Sequence, residues 1–296
     1  MSFDLSLTIA MPGTCGELIQ GWSAEWDEAV LVSCPIRRYS LVRVQLCPQP
    51  NISTPEGSEH YCKVRRAARL WLNYMGRSDL GAQISVQSQL IPGRGMASST
   101  ADVVGTMAGL ALALGYTPSP SELAQFACQI EPSDSIMFRG LALLAYRGSA
   151  QYHELGAAPA LPLLMLDPGR GLDTLAYNAQ LNLARLRQLA PATQTALDML
   201  KQGLSCNDAA AIGAAATLSA GSYQIISDHP LLGPAKHWAK ASGALGIVRA
   251  HSGGVVGLLY AAGTDLLEPA QWLARHFQGS ITPTCLRGGG YLQVRN

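Results

Sequence analysis

The sequence predicts an α+β fold, and three observations carry that prediction. Leu5, Leu7 and Ile9 alternate with Asp4, Ser6 and Thr8, the period-two signature of a strand with one buried face. Val64, Ala67, Ala68, Trp71, Leu72 and Met75 fall at i, i+3, i+4, i+7, i+8 and i+11, one apolar helical face closed by Gly76. From residue 193 onward, helix-like stretches alternate with returning strands, as they do in an α+β sandwich.

In chain order, the first strand ends at Pro12-Gly13. Strands follow at residues 29–34 and, through Val42, Val44 and Leu46, after Arg38; the Pro-, Asn-, Ser-, Thr- and Gly-containing run 48–58 is a surface loop. In the helix that comes next, Lys63, Arg65, Arg66 and Arg69 flank the apolar face and read as solvated surface. Ile84, Val86, Ser88 and Leu90 alternate and run into Ile91-Pro92-Gly93-Arg94-Gly95; residues 98–114 are small and apolar, rich in helix-forming Ala and Leu, and stop at Gly115. Ser119-Pro120-Ser121-Glu122 combines an N-cap, a proline at the first helical position and a carboxylate three residues on, so a helix starts there and runs to Ile130, breaking at Glu131-Pro132.

Strands are predicted at 136–146, 151–155 and 161–166, followed by the turn cluster Asp167-Pro168-Gly169-Arg170-Gly171. A change of domain near 148–160 divides the chain into residues 1–155 and 156–296. The second part holds helices near 193–202, 207–219 and 234–242 and a strand at 245–249. A glycine turn at Ser252-Gly253-Gly254, a strand at 255–260, a helix near 266–277 and a last strand pair across 280–294 complete it.

Composition narrows the function classes. With 296 residues the chain has room for one large domain or two modest ones. Charged residues make up 14%, against roughly 25% in a typical soluble protein. The net charge is +1 with no run of five or six like charges, which leaves no stripe for nucleic acid or an anionic membrane. No apolar run reaches the ~18 residues that span a bilayer, and Asp4 stands where a secretory signal would be basic. Seven cysteines, an odd count with no C-x-x-C pair, read as reduced thiols of a cytoplasmic protein; Cys15 alone lies within a Gly-rich turn.

The chemistry concentrates in Pro92-Gly93-Arg94-Gly95-Met96-Ala97-Ser98-Ser99. This segment joins a predicted strand to a predicted helix, where free helix N-terminal amides and the helix dipole favour an anion. Its glycines let backbone approach a phosphate, and its hydroxyls can cap the helix, bind phosphate or reach a hard cation. A tight turn with a serine N-cap fits the spacing equally well. No Gly-Lys-Ser or Gly-Lys-Thr occurs, the third glycine of a dinucleotide fingerprint is missing, and there is no Gly-x-Ser-x-Gly elbow to make a hydrolase of His251 and Ser252.

The segment extended through Thr100-Ala101 resembles the central motif of the GHMP kinases (galactokinase, homoserine kinase, mevalonate kinase, phosphomevalonate kinase), with conservative departures at Met96, Ala97 and Thr100. Two further segments are similar to the other motifs of that family, in order: Pro12-Gly13-Thr14-Cys15-Gly16-Glu17-Leu18 and Ala250-His251-Ser252-Gly253-Gly254-Val255-Val256-Gly257. The resemblance implies a two-domain fold, with an N-terminal ribosomal-protein-S5-like α/β domain and a C-terminal ferredoxin-like α/β sandwich. It also implies ATP bound on the segment from Pro92 to Ser99. Within the family, Gly13-Thr14-Cys15-Gly16-Glu17-Leu18-Ile19-Gln20-Gly21 looks most like the L-threonine kinase branch, which makes O-phospho-L-threonine for the aminopropanol arm of cobalamin. Homoserine or another small alcohol is the alternative acceptor, and a nucleotide-binding regulator without turnover the alternative of a different class.

By the same resemblance, Ser99 and Glu131 hold Mg²⁺ between the β- and γ-phosphates, and Asp134 is the catalytic base or a contact to the substrate. The lysine that other branches carry in the first motif is Thr14 here; Thr14, Glu17, Ser252 and Gly253 are the expected substrate contacts, Glu17 for an α-ammonium. His251 is expected to pack or cap, and Arg94 to be exposed. The expected partners are therefore threonine and ATP, with the assembly left open between monomer and homodimer.

Overall fold

The computed structural model describes residues 6–55, 61–169 and 181–294. Asp4, Leu5, Arg170 and Gly171, which take part in the predicted first strand and turn cluster, and residues 56–58 of the predicted loop lie outside the described residues.

Two long strands organise the molecule. β1 (Ser6–Ser23) and β2 (Glu28–Cys47) pair antiparallel along most of their length. Sequence periodicity ends β1 at Pro12-Gly13, but the strand continues through the first motif on a series of bulges between Pro12 and Ile19. Gly16, at φ 65°, absorbs one of these irregularities. In the same way the predicted strands at 29–34 and 42–46 are one strand, because Pro35 sits where β2 exchanges one set of neighbours for another.

The sheet runs β10-β7-β9-β8-β1-β2-β4-β3 among the described residues, with β11 added to β1 and the β5–β6 hairpin added to β2. These are β3 (Ile52–Ser53), β4 (Gly81–Ser88), β5 (Leu141–Ala145), β6 (Tyr152–Gly156), β7 (Pro162–Asp167), β8 (Gly246–Arg249), β9 (Val256–Leu259), β10 (Ser280–Cys285) and β11 (Leu292–Val294). The predicted terminal strand pair exists as two strands that do not pair with each other: β10 joins β7 and β11 joins β1. The predicted strand 136–146 shortens to β5. Ahead of it, Gly140 and Ile136 accept backbone bonds from Gly289 and Gly290, so those residues are committed to the glycine run near the C-terminus.

Helices α1 (Tyr61–Tyr74), α2 (Ser98–Ala113) and α3 (Pro120–Ile130) pack in the first half. α2 is the central one, buried nearly all round. A Cβ on Gly105 or Gly109 would meet the Val42 or Val44 side chain at 2.7 or 2.8 Å, so two glycines four residues apart let α2 lie directly on β2. Trp71 of α1 is fully buried and meets Phe126 of α3 edge-on, with ring centroids 5.2 Å apart. At the start of α3, Ser119 accepts from the Glu122 amide while the Glu122 carboxylate accepts from Ser119 N–H, the reciprocal cap that the sequence predicts.

The second half adds α4 (Leu183–Arg187), which periodicity does not reveal in so short a piece, then α5 (Ala190–Cys206), α6 (Ala209–Ser222), α7 (Leu232–Ser242) and α8 (Leu267–Ala274). The larger apolar core reaches from Ile9 through α2 to Leu286, and a smaller one gathers under α7 and α8 around Trp238 and Phe277.

Candidate active site

The three sequence motifs converge through backbone contacts. Thr14 N–H donates to Met96 O at 3.1 Å and Gly16 N–H to Gly95 O at 3.3 Å, while Val255 N–H donates to Arg94 O at 3.2 Å. Glycine is required where these segments touch: a Cβ on Gly16 would lie 2.2 Å from the Arg249 carbonyl, and one on Gly253 would lie 2.4 Å from Gly95 N. Gly93, Gly95 and Ala97 have left-handed φ values of 73°, 85° and 57°. Alternation of this kind turns successive amides toward one side and makes an anion nest at the head of α2. Ala97 holds this conformation at a strain of about 1 kcal/mol.

A cleft opens beside that nest, lined by residues 95–100 of the loop and helix start, by Glu131 to Asp134, and by Glu17, Lys63, Tyr146 and Ser252. The predicted serine cap does not form: no side chain caps α2, whose first hydroxyls turn across the cleft instead. Ser99 Oγ donates to Glu131 Oε1. Thr100 Oγ1 donates to Asp134 Oδ2 at 3.0 Å and accepts from Asp134 N–H at 3.3 Å.

Glu131 is delivered by the end of α3, where Pro132 forces the residue before it into an extended conformation, φ −161° and ψ 164°. Arg66 of α1 steadies that end by donating to the carbonyls of Gln129 and Ile130. Asp134 is held from both sides. Ser133 N–H donates to Tyr146 O, Ser33 N–H donates to Ser135 Oγ at 3.1 Å, and Ser135 N–H donates to Ser33 Oγ at 3.0 Å.

Glu17 is 2% exposed, and its Oε2 has no hydrogen-bond partner. Burial, and then the nearby Asp134, raise its pKa well above the ordinary carboxylate value. Burial also raises Asp134, while the bonds from Glu17 and Thr100 oppose the rise. Burial thus favours the protonated form of both carboxyls, and the bonds that oppose the rise in Asp134 make Glu17 the favoured holder of a shared proton.

Other expected contacts stand differently. Thr14 is fully buried and donates to Gly95 O at 3.3 Å, so it braces the loop and does not face the cleft. Gly253 is buried against Arg94 and Gly95, while Ser252 does line the cleft. Arg94, expected to be exposed, pairs with Asp167 Oδ1 at 3.2 Å and is directed away from the cleft by that bond. His251 packs, as expected: it lies between Tyr146 OH at 3.1 Å and Gln20 Oε1 at 3.3 Å, and burial with Arg249 and Arg147 lowers its pKa to about 3, so it is neutral.

Comparison with known proteins bears on this geometry. Residues 63–138 match the GHMP kinases N terminal domain family. The chain is 32% identical over 262 residues to an L-threonine kinase of Citrobacter freundii, covering 88% of this chain and 89% of the relative. The chain belongs to the GHMP kinase family. Solved structures agree on the fold. A homoserine kinase of Cytophaga hutchinsonii superimposes with a TM-score of 0.73 at 17% identity, covering 99% of both chains. A chain solved with MVAPP, AMPPCP and magnesium does so at 0.72 and 17%, again covering 99% of both.

In this GHMP kinase Lys63 also stands differently from its sequence reading. Expected on the solvated face of α1, it forms an ion pair with Glu131 and donates to Ser99 Oγ at 3.2 Å. Tyr146 is also a new lining residue, and no local pattern marks it, since it follows an ordinary apolar strand. No cluster of three His, Cys, Asp or Glu side chains suited to a metal occurs among the described residues. All seven cysteines are free thiols; Cys15 is buried within β1, where desolvation raises its pKa. Among the described residues no helix is long and apolar enough to cross a membrane.

The buried proton on Glu17 has a thermodynamic consequence for this GHMP kinase. The unfolded chain releases it near pH 4.5, whereas the folded protein retains it to higher pH. This contribution to stability is complete below the unfolded pKa and is lost as pH rises toward the folded one, at up to about 1.4 kcal/mol per pH unit. Glu17→Gln keeps a donor to Asp134 but removes the titration. Thermal denaturation from pH 4 to 8 should show the variant gaining on the wild type as pH rises; parallel curves would contradict the assignment.

Proposed function

We propose that this GHMP kinase phosphorylates the side-chain hydroxyl of L-threonine with ATP, making O-phospho-L-threonine for the aminopropanol arm of adenosylcobalamin. The L-threonine kinase of Citrobacter freundii supports the acceptor through its identity over 88% of this chain. The observation that carries the reading here is Glu17, a buried carboxyl with an unpartnered oxygen on the same cleft as Asp134. A free acceptor enclosed beside a carboxylate suits an α-ammonium, which mevalonate and galactose lack.

In this reading the amides of the segment from Pro92 to Ser99, with Gly93 and Gly95 admitting close approach, bind the polyphosphate. Ser99 and Glu131 would hold Mg²⁺. One hydroxyl and one carboxylate suit a hard ion that completes its shell with phosphate and water, and the Lys63 ammonium already bound to both supports the spot as one that selects a cation. When bound, the ion neutralises charge on the phosphates. Glu17 and Ser252 orient the amino acid, and Asp134 accepts the proton of its hydroxyl. That oxygen bonds to the γ-phosphorus as the bond from phosphorus to the β,γ-bridging oxygen breaks, and the electron pair leaves with ADP. The free thiols suit a reducing compartment, the cytoplasm.

A coupled assay of ADP release across threonine, serine, homoserine, mevalonate and galactose tests this. Threonine should show the highest kcat/KM, with homoserine and serine behind it. Absence of turnover with threonine would overturn the acceptor assignment. AMPPCP binding without phosphoryl transfer to any of the five would replace the kinase with a nucleotide-binding regulator.

A further inference from the structure

A polyphosphate brings several negative charges into a cleft already lined by Glu17, Glu131 and Asp134. Among the described residues lining it, Lys63 is the one cationic side chain. Three nearby arginines are engaged elsewhere: Arg94 with Asp167, Arg66 with the end of α3, and Arg249 with Gln224 and Ser227 from within the core. The first motif supplies only Thr14, which is neutral and buried.

Lys63 sits on the two side chains that the proposed metal site uses. Its Nζ touches both Ser99 Oγ and Glu131 Oε2, and these two are bonded to each other. An ammonium and a divalent cation cannot share that spot, because two like charges in contact repel each other strongly at the low effective dielectric of a partly enclosed cleft. Nζ would therefore have to leave these two side chains if they held a metal. The helix itself cannot follow, since Val64, Ala67, Ala68 and Trp71 anchor α1 in the core. Only the flexible four-carbon stem moves, and it is 28% exposed, so it has room to swing. Within reach of that stem, the oxygens of a polyphosphate bound on the loop would then be its acceptors.

We propose that Lys63 is a catalytic residue of this kinase: it occupies the Ser99–Glu131 site in the free enzyme, is displaced by Mg²⁺, and then neutralises the γ-phosphoryl group in transfer. The inference deepens the reading of the cleft as a Mg-ATP site and depends on it. Lys63 makes and breaks no covalent bond; its three N–H donors bear on oxygens whose charge shifts as the γ-phosphoryl passes from ADP to the threonine hydroxyl.

The test compares wild type with Lys63→Met and Lys63→Arg in two measurements, threonine-dependent ADP release titrated with free Mg²⁺ and calorimetric AMPPCP binding with and without Mg²⁺. For Lys63→Met, kcat should fall on the order of 10²-fold, the size expected for removing one charge-stabilising donor. The half-saturating free Mg²⁺ should also fall severalfold, because the competing ammonium is gone. Lys63→Arg should recover part of kcat, and it keeps the test usable if the methionine variant does not fold. A kcat within twofold of wild type in both variants would overturn the catalytic role. An unchanged or higher Mg²⁺ midpoint in Lys63→Met would overturn the exchange. Failure of wild type to bind AMPPCP at all would instead refute the nucleotide reading on which the inference rests, and calorimetry reports that separately from turnover.

Discussion

Asp134→Asn is expected to lower kcat for threonine phosphorylation by about 10²- to 10⁴-fold, the range removed with a general base, corresponding to roughly 3–5 kcal/mol of barrier. The substitution is nearly isosteric, and the asparagine carbonyl can still accept from Thr100, so the loop between Ser133 and Ser135 keeps its ties to Tyr146 and Ser33. AMPPCP affinity and thermal stability should therefore change little, and the loss should appear in kcat. A pH profile sharpens the result. Burial raises the Asp134 pKa from 3.8, so wild-type activity is lost as pH falls through that raised value, when the base takes up its proton. In the asparagine variant the residual rate should lack this acidic limb. Unchanged turnover in Asp134→Asn would remove the residue from the chemistry.

Glu131→Gln should have the second-largest effect, acting through the metal requirement. It removes the one carboxylate that meets Ser99, so half-saturating Mg²⁺ should rise at least tenfold and kcat/KM at fixed Mg²⁺ should fall on the order of 10²-fold. Excess Mg²⁺ should restore part of the activity, and a chelator should abolish it in wild type and variant alike. Full activity of Glu131→Gln at unchanged Mg²⁺ would end the assignment of Glu131 as a ligand. The variant also frees Lys63 from its ion pair, so the two substitutions share a partner and their effects should not add.

Much of the fold is legible in the sequence where a short stretch carries its own instruction. The apolar face of α1, the Ser119–Glu122 capping box and the strand-glycine-helix order around α2 all appear where periodicity and capping chemistry predict them. The same local logic fails at β1 and β2. Pro12, Gly13 and Pro35 look like terminators, yet bulges and a change of strand partners carry both strands past them, and only neighbouring strands supply those partners.

The candidate site divides along the same line. The glycine- and hydroxyl-bearing loop from Pro92 to Ser99 is readable from contiguous residues, because backbone freedom and helix-end chemistry are local; motif order carries the resemblance to the kinase family, and only that resemblance singles out Glu131 and Asp134. Which side chains face one another depends on packing between distant segments: Lys63 on Glu131 across 68 positions, Thr14 and Arg94 directed away from the cleft, and Glu17 enclosed beside Asp134. Periodicity says that Lys63 lies off the apolar face of its helix, and a position off that face borders water or a cleft depending on what packs nearby. Here the end of α3 packs there, held by Arg66 one turn further along the helix, and it turns a residue read as solvated surface into the one cation lining the cleft among the described residues.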